Sequence, residues 1–216
     1  MKPIDASTIA AVTGGVLLQG DGKALATSIS TDTRTIPAGA AFVALRGDRF
    51  DANDFAAQAA IDGASVLLVE RWENDPAVSA AVIKVPHGLY ALQRLAHWYR
   101  EQREMPVVGI TGSNGKTSTK DFTRAVLSQK YDVCATRGNL NNHIGVPLTV
   151  MSIGEENDAA VVEMGMNHAG EIAPLCEIAM PTMGIITNIG TAHIENLGSR
   201  DGIAEEKGAL ARSLPA

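Results

Sequence analysis

The sequence of 216 residues is poor in cysteine and in aromatic residues, with two cysteines and 4% Phe, Trp and Tyr taken together. Cys134 and Cys176 cannot form the disulfide framework of a small secreted domain, so we expect two buried thiols in a reduced protein. The N-terminal residues 1–5 lack the apolar core of a signal peptide. No apolar run approaches the roughly 18 residues of a membrane span. These absences predict a cytoplasmic location.

Positive charge is also scarce, because 18 basic residues stand against 24 acidic ones and the net charge is −6. Strong binding to a nucleic-acid backbone or to an anionic membrane requires clustered Lys and Arg, which this composition does not supply. The composition is otherwise that of a globular protein, with 45% hydrophobic and 19% charged residues. Any phosphate group that the protein binds must therefore be held by a local motif.

The order of apolar runs predicts an α/β protein. We expect a small N-terminal α/β domain in residues 1–85, followed by a truncated P-loop parallel-sheet ATPase domain in residues 86–216. In the first, a helix that Asn53 caps and Gly63 ends lies among strands predicted at 41–45, 64–69 and 81–85. In the second, an amphipathic helix at 88–104 precedes strands predicted at 107–111, 158–164 and 183–189. Each of these later strands is followed by a polar or Gly-rich turn, which is the βαβ rhythm of a parallel sheet.

The strongest local signal is a Gly-rich turn directly after the strand at 107–111. Glycines let successive backbone N–H groups point at phosphate oxygens, and the N-terminus of the following helix adds partial positive charge. Lys116 is placed to reach the terminal phosphates, and Thr117 to hold Mg²⁺. Ile110 stands where the strict pattern has its first glycine, so the loop is a G-x-x-G-x-x-G-K-T variant. The predicted nucleotide-binding residues are Gly112, Ser113, Asn114, Gly115, Lys116, Thr117 and Ser118. The following helix is predicted from Phe122, Val126 and Leu127.

Two more polar residues follow predicted strands near this loop. Glu163 ends one strand, and His193 follows another. Because ligands of open α/β sheets collect at the carboxyl ends of strands, we predict that Thr117, Glu163 and His193 hold Mg²⁺. Taken alone, His193 is more typical of a histidine that caps a helix or supports a ligand-binding residue, and Glu163 is as typical of a solvated strand end. The sequence has no Asn-Lys-x-Asp segment, which argues against a GTPase.

Taken in order, these motifs resemble those of the ATP-dependent Mur ligases of peptidoglycan precursor synthesis. The resemblance extends over most of the chain and rests on the loop 112–117, the Asn-rich segment 136–147, the segment 163–167 and the segment 188–193. The Met-Gly-Met-Asn form after Glu163 is most similar to members that add D-alanyl-D-alanine to UDP-N-acetylmuramoyl-tripeptide. The resemblance implies an amide ligase that uses ATP and Mg²⁺ and forms an acyl phosphate on the tripeptide carboxylate.

The resemblance also implies roles for particular residues. Lys116, His193 and Lys207 are the implied catalytic residues, and Lys207 matches a family lysine that is often carbamylated and able to support a second Mg²⁺. The alternative for Lys207 is a solvated surface lysine beside Glu205 and Glu206. The implied contacts to the UDP-linked substrate are Ser30, Asp32, Arg34, Arg46, Asn139 and Asn142. The alternative for the Asp32 and Arg34 pair is a turn with a surface ion pair.

Members of the family carry a third domain that closes over ATP and helps to bind the incoming amine. The sequence contains no counterpart, so we expect a chain that does not complete the ligation alone. Two alternatives to the D-alanyl-D-alanine-adding ligase stay open at this point. One is a non-catalytic module that binds the UDP precursor and a nucleotide. The other is another ligase of the same family, of the amino-acid-adding or folylpolyglutamate type.

Overall fold

Two mainly parallel β-sheets organise the chain, one in the unit Met1–Trp98 and the other in the unit Tyr99–Ala216. The structure is a computed structural model and describes residues 1–47 and 50–215. The predicted α/β class, with a parallel sheet in the second part, is confirmed. The two units divide at residue 98, within a helix that follows the boundary predicted from the sequence.

The first unit contains a five-stranded sheet with the order β2-β7-β6-β5-β4. Its strands are parallel except β2, which is antiparallel to β7. The strands of this unit are β1 (Ile4–Asp5), β2 (Val16–Gln19), β3 (Leu25–Ala26), β4 (Ser28–Ser30), β5 (Ala40–Val43), β6 (Val66–Val69) and β7 (Ala81–Lys84). Its helices are α1 (Ala6–Thr13), two 3-10 helices (Thr33–Thr35 and Ala52–Phe55), α2 (Ala56–Ile61) and α3 (Gly88–Glu101), which continues into the second unit.

Sequence patterns located the buried strands of the first unit but not its outer ones. β5 and β6 are buried along their whole length, as expected for apolar runs within a parallel sheet. β4 has the polar sequence Ser-Ile-Ser and forms a strand only because it pairs with β5. The predicted cap at Asn53 is wrong, because Asn53 lies within the 3-10 helix that precedes α2 and Asp51 caps that 3-10 helix. The Asn53 side chain instead accepts a hydrogen bond from the Glu70 N–H.

The second unit contains a four-stranded, fully parallel sheet with the order β11-β8-β10-β9. After β8 the chain crosses to β9 on one side, and after β10 it crosses to β11 on the other side. Its strands are β8 (Val107–Thr111), β9 (Val133–Ala135), β10 (Ala159–Glu163) and β11 (Met183–Ile186). Its helices are α4 (Lys116–Leu127), α5 (Gly145–Met151), α6 (Ile172–Ala179), α7 (Ile194–Leu197) and α8 (Arg200–Arg212).

Helix α4 has the predicted position, but two of its three predicted apolar residues do not face the sheet. Phe122 and Val126 are 72% and 71% exposed, whereas Leu127 is half-buried and packs against the apolar residues of β8 and β10. The side chain that α4 buries is Lys120, whose ammonium group donates to the backbone oxygen of Thr136. The apolar spacing therefore predicted a helix correctly and its buried face incorrectly.

Both cysteines are free, as expected. Cys176 is buried, whereas Cys134 is only half-buried. Burial raises the pKa of both thiols, which disfavours the reactive thiolate. Among the described residues, no helix is both long enough and apolar enough to cross a membrane.

A buried arginine holds together the start of the second unit. Arg100 is 5% exposed, and its guanidinium donates to the backbone oxygens of Ala179, Arg103, Met105 and Met180. Burial lowers the pKa of Arg100, since desolvation disfavours its charged form. The side chain therefore satisfies carbonyl groups at the end of α6 and in the segment before β8.

We expect the substitution Arg100→Met to lower the free energy of unfolding by about 2–4 kcal/mol, because it leaves several carbonyl groups without their donor. Equilibrium unfolding in urea, followed by circular dichroism, measures this loss. Arg124→Met on the exposed side of α4 is the matched control and should change stability by less than about 0.5 kcal/mol. Equal stabilities of the two variants would contradict the role given to Arg100.

Candidate active site

Three neighbouring strands of the second sheet end at one edge, and the segments that follow them carry the predicted site residues. β8 leads into the phosphate loop, β10 ends in Glu163, and β11 leads into the segment 187–193. β8 lies between the other two strands, and Ile110 is in register with both Glu163 and Ile185. The sheet thus brings these segments to the edge where ligands bind in open α/β folds.

The loop after β8 has the backbone geometry of an anion-binding turn. Gly112 and Gly115 have φ values of 148° and 79°, which side chains rarely allow. α4 begins at Lys116, and Gly115 at its N-cap provides no side-chain acceptor for the first turn. The N–H groups of that turn are therefore open to an anion, and the helix dipole favours negative charge there.

The side chains of the loop have different surroundings. The Lys116 ammonium group donates to the backbone oxygen of Gly112 at 2.9 Å, so the side chain folds back over the loop. Ser113 is 9% exposed, whereas Asn114, Thr117 and Ser118 are exposed. The hydroxyl groups of the first helical turn thus face outward, at the position predicted for a nucleotide.

Glu163 is a buried carboxylate with one satisfied oxygen. The residue is 2% exposed, its N–H donates to Thr136 Oγ1, and its Oε1 accepts from Asn141 Nδ2 at 2.8 Å. Its Oε2 is buried and has no hydrogen-bond partner in the structure. The alternative of a solvated strand end is therefore wrong for Glu163.

The unsatisfied oxygen atoms test whether the residues fit a magnesium ion. Glu163 Oε2 and Thr111 Oγ1 are buried oxygens without partners, at the ends of adjacent strands. Mg²⁺ prefers oxygen ligands and usually keeps water or phosphate oxygens as well. No group of three or more His, Cys, Asp and Glu side chains within the described ranges could hold a metal alone. The donor set fits an ion that is shared with a bound phosphate.

His193 lies at the start of α7 in an unusual backbone conformation. Its φ of 62° is left-handed, which costs energy for a residue other than glycine and is enriched at functional sites. Although His193 occupies the N-cap position, its side chain makes no capping hydrogen bond. The alternative of a capping side chain is therefore not borne out by the geometry.

Lys207 on α8 is buried, which overturns the alternative of a solvated surface lysine. It is 2% exposed, and burial lowers its pKa to about 8, with the nearby positive charge of Lys116 adding to this and Glu206 opposing it. The charge of Lys116 therefore acts on Lys207 although the two residues lie on different helices. The structure brings these two predicted catalytic lysines near each other.

Glu206, next to Lys207, fixes the position of α8. Its two carboxylate oxygens each accept a hydrogen bond at 2.7 Å, from the N–H groups of Gly170 and Ile172. These groups lie at the N-terminus of α6, where negative charge is favoured. Glu205 is exposed and pairs with Arg212 instead. Only one of the two glutamates before Lys207 is therefore solvated.

Asp32 and Arg34, two of the four UDP contacts predicted in the first unit, line a cleft of about 540 Å³. The residues that line it are Thr31, Asp32, Thr33, Arg34, Phe50, Ala52 and Phe55. The rings of Phe50 and Phe55 are stacked with their centroids 5.2 Å apart. Arg46 is exposed and forms a backbone bridge with Asp51, so it lies near the same loop.

Asp32 and Arg34 form the turn and surface pair that the sequence left open. Asp32 caps the 3-10 helix and accepts two hydrogen bonds from the Arg34 guanidinium, at 2.8 and 2.6 Å. The Arg34 guanidinium lowers the pKa of Asp32 to about 2. Ser30 is buried, and its hydroxyl bonds the backbone of Asp32. Arg34 remains 84% exposed, so a ligand can still reach its guanidinium.

The Asn-rich segment divides into residues with different roles. Asn142 accepts hydrogen bonds from the N–H groups of Ile144 and Gly145 and so starts α5, while Asn139 is exposed. Asn141, which sequence reasoning did not single out, holds Glu163. Gly165 allows this approach, because a Cβ atom there would lie 2.9 Å from Asn141 Oδ1.

Sequence reasoning missed the residues that act through tertiary contacts. They are Phe50, Phe55, Thr111, Asn141, Thr187, Asn188 and Glu206. Asn188 belongs to a motif that was recognised, but a motif does not show which atoms its side chain contacts. The other contacts join residues far apart in sequence, so no local sequence pattern could predict them.

Comparison with protein families supports the same assignment for most of the chain. The model "Mur ligase family, catalytic domain" matches residues 26–100, and the model "Mur ligase middle domain" matches residues 110–216. The chain is 48% identical over 179 residues to the UDP-N-acetylmuramoyl-tripeptide--D-alanyl-D-alanine ligase of Bacillus subtilis, which covers 83% of this chain and 39% of that protein. It is 45% identical over 188 residues to the Escherichia coli enzyme of the same name, and this alignment covers 87% of this chain and 41% of that enzyme.

Solved structures give a consistent result. MurF from Acinetobacter baumannii superposes with a TM-score of 0.91 and 38% identity, over 100% of this chain and 47% of that one. MurF ligase from Thermotoga maritima in complex with ADP gives a TM-score of 0.77 and 33% identity, over 87% of this chain and 43% of that one. The chain thus spans about two fifths of the length of the curated relatives that it matches.

We expect Lys207 to make stability depend on pH above neutrality. Its folded pKa of about 8 lies below the unfolded value of 10.5, so between these values the unfolded chain binds a proton that the folded chain lacks. The free energy of unfolding should therefore rise, by up to about 3 kcal/mol, as pH increases through this window. Below pH 8 the contribution should be constant.

Urea unfolding of wild type and Lys207→Met at several pH values isolates this contribution, because the variant lacks the titrating amine. Lys130→Met, an exposed lysine, is the control and should keep the wild-type pH dependence. A pH dependence that is the same in wild type and Lys207→Met would show that this lysine does not titrate as described.

Proposed function

This chain belongs to the Mur ligase family, and we propose that it forms the precursor-binding and ATP-binding parts of a cytoplasmic ligase that adds D-alanyl-D-alanine to UDP-N-acetylmuramoyl-tripeptide. One observation carries the proposal: an open helix N-terminus after β8 lies beside a buried carboxylate that has one unsatisfied oxygen. Such a pair suits a polyphosphate together with a cation. The names of the similar proteins support this choice of substrates over those of other family members.

The proposed chemistry explains why the site needs positive charge rather than a nucleophile. A carboxylate has no good leaving group, so the γ-phosphoryl group of ATP is transferred to the tripeptide carboxylate, and ADP is released. The amine of the dipeptide then attacks the acyl carbon, the amide bond forms, and inorganic phosphate leaves. Phosphoryl transfer depends mainly on positioning and on neutralising charge.

The residues of this chain divide these tasks between them. The N–H groups in the first turn of α4 bind phosphate oxygens, and Lys116 exchanges its contact with the Gly112 carbonyl for the β- and γ-phosphates. Gly112, Ser113, Asn114 and Gly115 shape the loop, and Thr117 and Ser118 offer hydroxyl groups. Asn141 donates to one oxygen of Glu163 and leaves the other oxygen without a partner, so that it can bind a cation.

Thr117, Glu163 and His193 are the residues that would hold Mg²⁺ in this proposal. The ion neutralises charge on the phosphate oxygens when it is bound. Glu163 contributes a buried oxygen without another partner. His193 contributes an imidazole that is not used as a helix cap.

Lys207 completes the site in this proposal as a carbamate. Its lowered pKa leaves part of the population as a neutral amine near neutral pH, and a neutral amine adds carbon dioxide with release of a proton. The product is an anion, which would replace the repulsion from Lys116 by attraction and could support a second Mg²⁺. Glu206 holds α8 in place for this role.

The first unit would bind the UDP part of the precursor. Ser30, Asp32, Arg34 and Arg46 remain the proposed contacts, and the guanidinium of Arg34 is exposed next to the cleft. Arginine pairs with phosphate through two parallel hydrogen bonds. In the second unit, Asn139 and Asn142 stay the proposed contacts to the rest of the precursor.

A second candidate function is binding without turnover. It concerns the 216-residue chain by itself, which spans about two fifths of the length of the similar ligases. Incubation with ATP, the tripeptide precursor and D-alanyl-D-alanine, followed by measurement of released phosphate, separates the candidates. Phosphate release that depends on both acceptor substrates supports the ligase, whereas binding without release supports the second candidate.

We expect Lys116→Ala to weaken the binding of Mg-ADP to this chain by tenfold or more, because hydrogen bonds to charged groups contribute about 1.5–3 kcal/mol. Calorimetric titration of wild type and variant measures the difference. Lys130→Ala is the matched control and should bind like wild type, since this lysine is exposed in a turn after α4. Equal affinities in Lys116→Ala and wild type would refute the nucleotide role of the loop.

We expect the chain to bind UDP-N-acetylmuramoyl-tripeptide in preference to UDP-N-acetylglucosamine. Arg34→Ala should weaken this binding by about tenfold, because it removes a charge-assisted contact to phosphate. Calorimetric titration measures both effects, with Lys84→Ala as the control for loss of an exposed charge in the same unit. Folded protein that binds neither nucleotide sugar would remove the precursor from the proposal.

A further inference from the structure

The segment after β11 lies directly against the first part of the phosphate loop. A Cβ atom built on Gly112 would lie 1.8 Å from Thr187 Oγ1, and one built on Gly190 would lie 3.1 Å from the Cβ of Ser113. Only a residue without a side chain fits at Gly112 while Thr187 keeps this position. Residues 187–190 and residues 112–114 therefore form one packed layer.

Hydrogen bonds from Thr187, Asn188 and Gly190 join these two segments. Asn188 Oδ1 accepts the N–H groups of Ser113 and Asn114 at 3.1 and 3.0 Å, and the backbone oxygen of Asn188 also accepts from the Ser113 N–H at 3.2 Å. The Thr187 hydroxyl donates to the Asn114 oxygen at 2.6 Å, and the Gly190 N–H donates to Ser113 Oγ at 2.9 Å. The backbone oxygen of Ile189 accepts from Arg200, which ties the segment to α8 as well.

These contacts use N–H groups that a phosphate loop would otherwise offer to its ligand. An N–H group that already donates a hydrogen bond of normal length has no further donor capacity. In this loop, the donors of Ser113 and Asn114 are used within the protein, while the first turn of α4 starts at Lys116 without a side-chain cap. The loop is thus divided into an anchored part and an open part.

We propose that Asn188 is a positioning residue that anchors the phosphate loop through the N–H groups of Ser113 and Asn114, so that phosphates bind only to the open part from Gly115 onward. This inference rests on the proposed nucleotide site. Asn188 touches no reacting atom in this arrangement. It fixes the position of the loop relative to the segment after β11. Because that segment continues to His193, the loop and the candidate metal residue keep a constant separation.

The neighbouring contacts favour an anchor over a temporary substitute for phosphate. A side chain that merely filled an empty anion site could rotate away when phosphate arrives. Rotation of Asn188 alone would leave Thr187 and Gly190 bonded to the same loop residues. These separate contacts therefore keep Asn188 in place when the open part is filled.

Amide hydrogen exchange of the 216-residue chain, followed residue by residue by NMR, tests the anchor without any ligand. The amides of Ser113 and Asn114 should exchange about tenfold more slowly than those of Lys116 and Thr117, which corresponds to a protecting free energy of about 1.4 kcal/mol. Exchange of Ser113 and Asn114 as fast as that of Lys116 in wild type would overturn the proposal, whatever the variants do.

Two variants of Asn188 separate its acceptor oxygen from its shape. Asn188→Ala should remove the protection of Asn114, whose N–H donates to the Asn188 side chain, whereas Asn188→Asp keeps an acceptor oxygen and should retain it. Ser113 should lose less protection, because its N–H also donates to the backbone oxygen of residue 188 at 3.2 Å. Asn157→Ala is the matched control, since Asn157 also accepts a backbone N–H, that of Gly154, at the opposite end of β10. Protection of Asn114 that survives in Asn188→Ala would contradict the inference.

Titration with inorganic pyrophosphate then tests the consequence for ligand binding. In wild type, the amides from Gly115 to Ser118 should shift, while Ser113 and Asn114 stay protected. Asn188→Ala should bind pyrophosphate about tenfold more weakly, with the midpoint of thermal unfolding unchanged relative to Asn157→Ala. Loss of protection at Ser113 and Asn114 on binding, or tighter binding by Asn188→Ala, would show that Asn188 is a phosphate substitute instead. If pyrophosphate does not bind while the exchange pattern holds, the nucleotide proposal fails and the anchor stands.

Discussion

The backbone hydrogen bonds that align β8 with its two parallel neighbours are the constraint on which the candidate site depends. They place Ile110 opposite Glu163 on one side and opposite Ile185 on the other. A shift of one residue in either pairing would turn every following side chain to the other face of the sheet. The phosphate loop, the carboxylate and the segment before His193 meet only because both registers are kept.

Positive charge is concentrated in this site although the whole chain is acidic. Burial disfavours the charged form of Lys207, and the nearby positive charge of Lys116 adds to this. Such an arrangement is unfavourable in an empty protein and becomes favourable when anions neutralise it. Glu206 offsets only part of the cost, because its carboxylate is already bonded to the start of α6. The arrangement is therefore suited to a bound polyanion, and the electrostatic repulsion destabilises only the protein without it.

The sequence predicted the parts of the molecule that follow from local pattern. β8 was predicted to the residue, and a helix was predicted after its Gly-rich turn, because an apolar run and glycines each act over a few positions. β4 was missed, since its polar sequence becomes a strand only by pairing with β5. The exposure of Phe122 could not be predicted either, because the spacing of apolar residues shows a helical face but not what lies against it. Burial of Lys207 likewise follows from where α8 packs, which no local pattern contains.

The departure of the loop from the strict glycine pattern has a structural reason in this sheet. Ile110 is completely buried and still belongs to β8, where it pairs with two strands. The chain leaves the sheet only after Thr111, and the positive φ that a glycine permits is first needed at Gly112. Gly112 then meets a second demand, because Thr187 occupies the space of a side chain. The glycine of this loop is thus placed where the turn and the segment after β11 both require it, and an apolar residue fills the position that remains in the core.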